Sequence, residues 1–219
     1  MPSYSGVFTL QAQMQAIAAG TWTGIPLAIG DAYGGGFFAG QISTAGNSIA
    51  DYNLVVGPLA SAQSTLQWKI VATATSGASS VINGPANSAA MNDASHPAAQ
   101  FCEGLTVGGF SDWYMPAQNE LEVCYYNLKP SSTGNTTSVG INANAVPARA
   151  SNYTSGDPAQ TSATNFQTGG TEAFFAGVYW CSTERFNSAG WLQYFSQGNQ
   201  TSFNKTSSQR VRAIRRVAI

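Results

Sequence analysis

The residues that could do covalent or metal chemistry are few and scattered. The 219-residue chain has one histidine, His96, and three cysteines, Cys102, Cys124 and Cys181. Nucleophilic catalysis needs a hydroxyl or thiol beside a base. His96 directly precedes Pro97, where a helix start and a capping or exposed histidine are expected rather than a base. The cysteine spacing is too wide for a zinc knuckle, so neither a metal nor another cofactor is expected. Their odd number argues against a complete disulfide framework. One bridge, for example Cys102 to Cys124, would suit a non-reducing compartment, but buried free thiols are the preferred reading. Asp112, Glu120, Glu122, Glu172 and Glu184 are the carboxylates from which a glycosidase pair would have to come. Gly34, Gly35 and Gly36 precede Phe37 and Phe38, a strand-like start. A phosphate-cradling loop would need a helix there. No catalytic residue follows from these patterns, and the chain is expected not to be an enzyme.

Composition points the same way. Only 9% of residues are charged, against roughly 25% in ordinary globular domains, so Ser, Thr, Asn, Gln, Gly and Ala must cover the surface. Such a surface is poor in long charged side chains that cost entropy to immobilise, and it packs readily on copies of itself. Secreted, adhesive and particle-forming proteins share this character. The net charge of −1 and pI of about 5.7 give no general attraction to nucleic acid or anionic membrane. Lys205, Arg210, Arg212, Arg215 and Arg216 crowd the end, which reads as an alternating strand whose arginines pair with acidic neighbours. No apolar run approaches the ~20 residues of a membrane span. The opening MPSYSGVFTLQAQMQ lacks the basic and apolar regions of a signal peptide. The expectation is a protein made in the cytosol and released in a particle.

The elements that must position these residues can be read in outline. Leu10, Met14 and Ile17 share one face of a predicted helix over 9–20, within a docking segment expected over 1–28. In Ile29–Gly40 a tight turn at Gly34, Gly35 and Gly36 is expected to lead into an aromatic strand through Phe37, Phe38, Gln41 and Ile42, and further strands are expected over Asp51–Gly57 and Leu66–Ala72. Helices are predicted from Pro85 to Asp93, from Pro97 to Leu105, and from Pro116, where Leu121, Cys124, Tyr125 and Leu128 follow helical spacing until Lys129-Pro130. Residues 131–171 lose all periodicity and read as a polar insertion, ordered by a neighbour or serving as a binding loop. Strands return at Val178–Ser182, Trp191–Ser196, Thr201–Lys205 and Arg210–Val217, joined by short turns.

Two blocks stand out. The first, AAQFCEGLTVGGFSDWYMPAQNELEVCYYNL, spans Ala98 to Leu128. The second, YWCSTERFNSAGWLQYFSQGNQTSFNKTSSQRVRAIRR, spans Tyr179 to Arg216. Together they resemble the Lcl C-terminal-like family, named after a bacterial collagen-like adhesin and found in surface proteins and phage virions. The likeness lies at Gly109, Phe110, Ser111, Asp112, Trp113, Met115, Pro116, Glu120 and Leu121, then at Tyr179, Trp180, Ser182, Thr183, Glu184, Trp191, Phe195, Val211 and Arg212. It implies an α+β, C-type-lectin-like fold over 29–219, with antiparallel strands, two to four helices and the 131–171 loop inserted.

Read physically, these positions are architectural. Asp112 suits a turn that accepts backbone N–H groups. Trp180, Trp191 and Phe195 supply the sheet core, with Trp191, Gln193 and Phe195 facing opposite to Leu192 and Tyr194. Glu184 and Arg212 are expected to be internal ion-pair partners. Formylglycine-generating oxidases share the broad fold, which raises Cys181 as a redox residue. Without a second cysteine or a base beyond Arg185, it reads as a strand thiol. The calcium-binding tripeptides usual in lectins of this fold do not occur.

The resemblance implies a bacteriophage virion protein. The leading expectation is a tail-fibre or tail-tip module for host attachment. Alternatives are a purely structural virion component, such as a capsid decoration or tail scaffold protein, and a bacterial surface adhesin. Expected partners are other virion proteins, copies of itself in a homo-oligomer for which a trimer would fit, and a host surface glycan or protein. Neither nucleic acid nor membrane insertion is expected. The ligand-binding candidates are Arg185, Phe186, Asn187, Gln193, Tyr194, Asn199, Gln200 and Asn204, polar and aromatic residues of the terminal strands.

Overall fold

The computed structural model describes residues 27–219, so the helix expected over 9–20 and most of the expected docking segment lie outside the described residues. The strands are β1 (Ala32–Tyr33), β2 (Gly36–Ile42), β3 (Tyr52–Val56), β4 (Gln63–Gln67), β5 (Ala145–Val146), β6 (Val178–Phe186), β7 (Ala189–Tyr194), β8 (Gln200–Asn204), β9 (Ser208–Arg212) and β10 (Ile214–Ala218). The helices are α1 (Leu59–Ala62), α2 (Gly84–Ala89), α3 (Pro97–Glu103) and α4 (Gln118–Leu128). The architecture is α+β, with mostly antiparallel strands and four helices among the described residues.

Local chemistry sets the helix ends. Pro85 and Pro97 occupy first-turn positions, where a missing N–H costs nothing, and the Asn83 side chain accepts from Ala86 N at the start of α2. At α4, Glu120 Oε2 reaches back to accept Ala117 N at 2.7 Å. The Lys129-Pro130 step ends that helix, because a residue before proline is driven out of the helical region.

The strands form two five-stranded sheets. One runs β1-β2-β3-β10, with β5 added beside β2; the other runs β4-β9-β6-β7-β8. Among the described residues the only parallel contact is β6 with β9 at Tyr179 and Arg210. The sheets share one ribbon: β3 pairs with β10 and β4 with β9, while Ala213 marks the crossing from one sheet to the other. There Gly57 N donates to Ala213 O and Ala213 N donates to Ala62 O, both at 2.9 Å. The strand expected over Leu66–Ala72 is found earlier, at Gln63–Gln67. Its register against Arg212–Ser208 decides the limits, and Trp68 and Lys69 turn inward instead of extending it.

Two apolar clusters flank these sheets. One gathers Ile42, Leu54, Leu121, Tyr125, Leu128, Tyr153, Phe166, Phe174, Tyr179 and Phe195 around α4. The other gathers Trp68, Met91, Cys102, Trp113, Met115, Trp180, Leu192 and Val211. Each buried indole finds an acceptor: Trp68 Nε1 donates to Cys181 O at 2.9 Å, Trp180 Nε1 to Leu66 O at 3.2 Å, and Trp113 Nε1 to the carbonyls of Val107 and Phe110. Gly190 makes room for Trp68, since a Cβ there would lie 2.9 Å from the indole. The alternation expected in β7 holds: Trp191 and Phe195 join the first cluster, and Leu192 and Tyr194 the second.

The stretch 131–171 is irregular, as expected, but its own chain orders it. Tyr153 and Phe166 bury in the first cluster, the latter from a short 3-10 turn at Thr164–Phe166, and β5 pairs with β2. Glu122 of α4 binds Arg149, Tyr153 and Asn142 from this stretch. Scattered aromatic and polar anchors replace periodicity, so a neighbour is not needed to hold it.

Candidate functional site

The fate of each charge separates framework from free surface. All nine lysines and arginines lie within the described residues. Five pair with a carboxylate: Arg149 with Glu122, Lys205 with Glu184, Arg212 with Glu172, Arg215 with Asp112 and Arg216 with Glu120. Lys69 and Lys129 are buried and held by neutral acceptors. Arg185 and Arg210 are left without a carboxylate, and each lies against an aromatic ring.

The paired charges are structural. Arg212 sits where the two sheets meet, donating to Gly57 O and Glu172 O at 2.8 Å and to Glu172 Oε2 at 2.7 Å. Burial lowers its pKa to about 10 against the opposing pull of Glu172. The same Glu172 oxygen accepts Leu59 N at 2.7 Å and so fixes the start of α1. Arg212 therefore pairs with Glu172, not with the expected Glu184, because Glu184 lies further along β6 and meets Lys205 Nζ at 2.5 Å. Glu184 also accepts Thr75 N at 3.1 Å. Asp112 binds Arg215 through both oxygens at 2.6 and 2.8 Å, and that guanidinium holds its carboxyl below the ordinary range. Burial pushes Glu120 up despite the opposing Arg216, and Tyr114 and Ala117 N complete its bonds.

His96 precedes α3 as expected, but its side chain neither caps the helix nor faces solvent. It is buried between Asp93 Oδ1 at 2.9 Å and Thr75 Oγ1 at 3.0 Å, edge-on to Trp68. The hydroxyl its ring meets, Thr75 Oγ1, is itself buried and also bonded to Lys69. All three cysteines are free and buried. Burial raises Cys124 and Cys181 to about 12, which keeps them as unreactive thiols at neutral pH. Among the described residues no group of three or more His, Cys, Asp or Glu side chains could hold a metal ion.

The free surface lies at the β6–β7–β8 tip. Register places Phe186, Ala189 and Asn204 in one row, Gly190 beside Phe203 in the next, and Trp191 beside Ser202 in the one after. The Arg185 guanidinium stacks 4.4 Å above the Trp191 ring and 5.0 Å from Phe186, while Nη1 donates to Ser202 Oγ at 3.2 Å. Phe186 is 59% exposed and Phe203 50%; Asn187 and Asn204 are exposed beside them. A cation held over an indole, with apolar edge and amides around it, can meet a polar or anionic group on one side and an apolar face on the other.

The tip thus unites four of the eight sequence candidates, Arg185, Phe186, Asn187 and Asn204. The other four lie elsewhere. Gln193 is buried, donating to Gly198 O at 2.7 Å. Tyr194 packs with the second cluster on the opposite face, Asn199 lies at the far end of the hairpin, and Gln200 is committed to Gln118 of α4. Trp191 and Ser202 belong to the tip but were assigned to the core or passed over. Their juxtaposition depends on strand register, which short polar turns conceal.

No curated protein is significantly similar to the chain. The family model of the Lcl C-terminal domain matches residues 59–215, from the start of α1 into β10. That span includes the whole second sheet, the tip and every paired charge except Arg216, whereas β1 to β3 precede it and complete the first sheet against β10. Over most of its length, therefore, the chain belongs to the Lcl C-terminal domain family.

Proposed function

We propose that the chain is a non-enzymatic, C-type-lectin-like binding module of a bacteriophage virion, a tail-fibre or tail-tip component that attaches to a host surface glycan or protein through the β6–β8 tip. The observation that carries this reading is Arg185. In a chain where five cations are paired with carboxylates and two are buried on neutral acceptors, it is exposed, stacked on Trp191 and bonded only to the Ser202 hydroxyl, with polar and apolar groups around it. Four helices around antiparallel sheets, with early strands paired to late ones, support the lectin-like reading. The scarcity of charged groups supports assembly into a homo-oligomer within the particle.

Purified protein should bind host cells, and Arg185→Ala combined with Phe186→Ala should abolish binding with no change in melting temperature. The low charge also favours a second reading, a purely structural capsid-decoration or tail-scaffold protein. Absence of cell binding, together with stable attachment to empty capsids, would establish that alternative.

A further inference from the structure

Lys129, at the end of α4, is 1% exposed and has no carboxylate partner. Its Nζ donates to Asn135 Oδ1 at 2.7 Å and to Pro158 O at 3.0 Å. The Asn135 side chain is 7% exposed, and its Oδ1 also accepts the Tyr125 hydroxyl at 2.5 Å. Its Nδ2 donates to Pro158 O at 2.9 Å and Thr154 O at 3.0 Å. An amine, a side-chain amide and a proton donor on the amide oxygen are thus held together in a buried site, and the Tyr125 ring that supplies the donor packs against Tyr153 and Phe195. From this geometry we propose that Lys129 and Asn135 join in an intramolecular isopeptide bond, formed by the folded chain itself.

A buried ammonium surrounded only by neutral acceptors is costly, and burial lowers the Lys129 pKa, which favours the neutral amine. The neutral Nζ attacks Asn135 Cγ, and the carbonyl π pair moves onto Oδ1, where Tyr125 donates. Burial raises the Tyr125 pKa, so its hydroxyl keeps the proton needed for this bond. Of the three ammonium protons, one is lost to solvent before the attack, one passes from Nζ to Nδ2 as the Cγ–Nδ2 bond breaks with its electron pair, and one stays on the new amide nitrogen; ammonia leaves as Oδ1 re-forms the carbonyl. The product is a secondary amide between Nζ and Cγ, uncharged and able to donate to Pro158 O. No oxidant or second substrate takes part. The bond removes the buried charge and fastens the start of the 131–171 stretch to α4.

Intact-mass measurement on the denatured full chain tests this directly. The expected mass is that of the sequence less one ammonia, with a proteolytic peptide in which Lys129 and Asn135 remain linked after cleavage between them. Lys129→Met and Asn135→Ala should each restore the full mass, and Tyr125→Phe should slow the loss several-fold in freshly refolded protein. A full, unmodified mass for cooperatively folded wild-type protein overturns the proposal. So does an ammonia loss that survives Lys129→Met, since that would be succinimide formation at Asn135 alone.

Discussion

The two ends of β6 carry charge in opposite ways. Beside its start, the neighbouring β9 presents Arg212, buried and saturated by Glu172 and the Gly57 carbonyl. At its far end Arg185 faces solvent with one hydroxyl and two aromatic rings. Buried ions must be paired or they destabilise, so the first arginine is fixed by folding. A stacked, exposed cation contributes little to stability and is free to meet a partner. Charge in this sparsely charged chain therefore divides into a frame and a contact, and mutation should separate them.

The largest effect is expected at the frame. Glu172→Gln leaves Arg212 buried without its counter-ion and should cost about 3 kcal/mol, visible as a lower denaturant midpoint. A loss no larger than that of Arg185→Ala would break the distinction. Gly190→Val comes next: its side chain would press on Trp68 and should cost about 1–3 kcal/mol, read by thermal melting.

An acid titration should give a smaller response. Hydrogen bonds from Ser95 and then His96 hold Asp93 at about 2, below an unfolded value of about 3.9. Its contribution is therefore complete above the unfolded value and is lost as the pH falls toward about 2. Asp93→Asn should flatten that part of the melting-temperature profile; an unchanged slope would show that the bonds of the Asp93 carboxylate to Ser95 and His96 add nothing. The smallest stability change, within about 0.5 kcal/mol, is expected for Arg185→Ala, although that variant should lose ligand binding.

Sequence patterns revealed most elements and the family blocks because prolines, turns and alternation are local. The partners of charges were less legible. Glu184 and Arg212 share motif blocks and opposite signs, yet the offset between β6 and β9 sends one to Lys205 and the other to Glu172. Glu172 lies at the end of the aperiodic 131–171 region, where nothing in the spacing marks it as a partner. At the tip, Arg185 and Phe186 were recognisable as exposed types. Trp191 was not, because the same residue that packs on the first cluster also supports Arg185. Gln193 obeyed the alternation and was buried by it.

The ribbon formed by residues 52–67 and 208–218 also constrains how the protein is made. One short run, interrupted only at Ala213, supplies a strand to each sheet, so synthesis must pass it before either sheet can close. Arg212 reaches Gly57 across 155 positions of sequence. Contacts of such separation slow folding, and on the ribosome the earlier strands must wait with open edges. A nascent chain stalled before Ser208 would expose the flanks of β3, β4 and β6 together, making this stage of biosynthesis the one most in need of a chaperone.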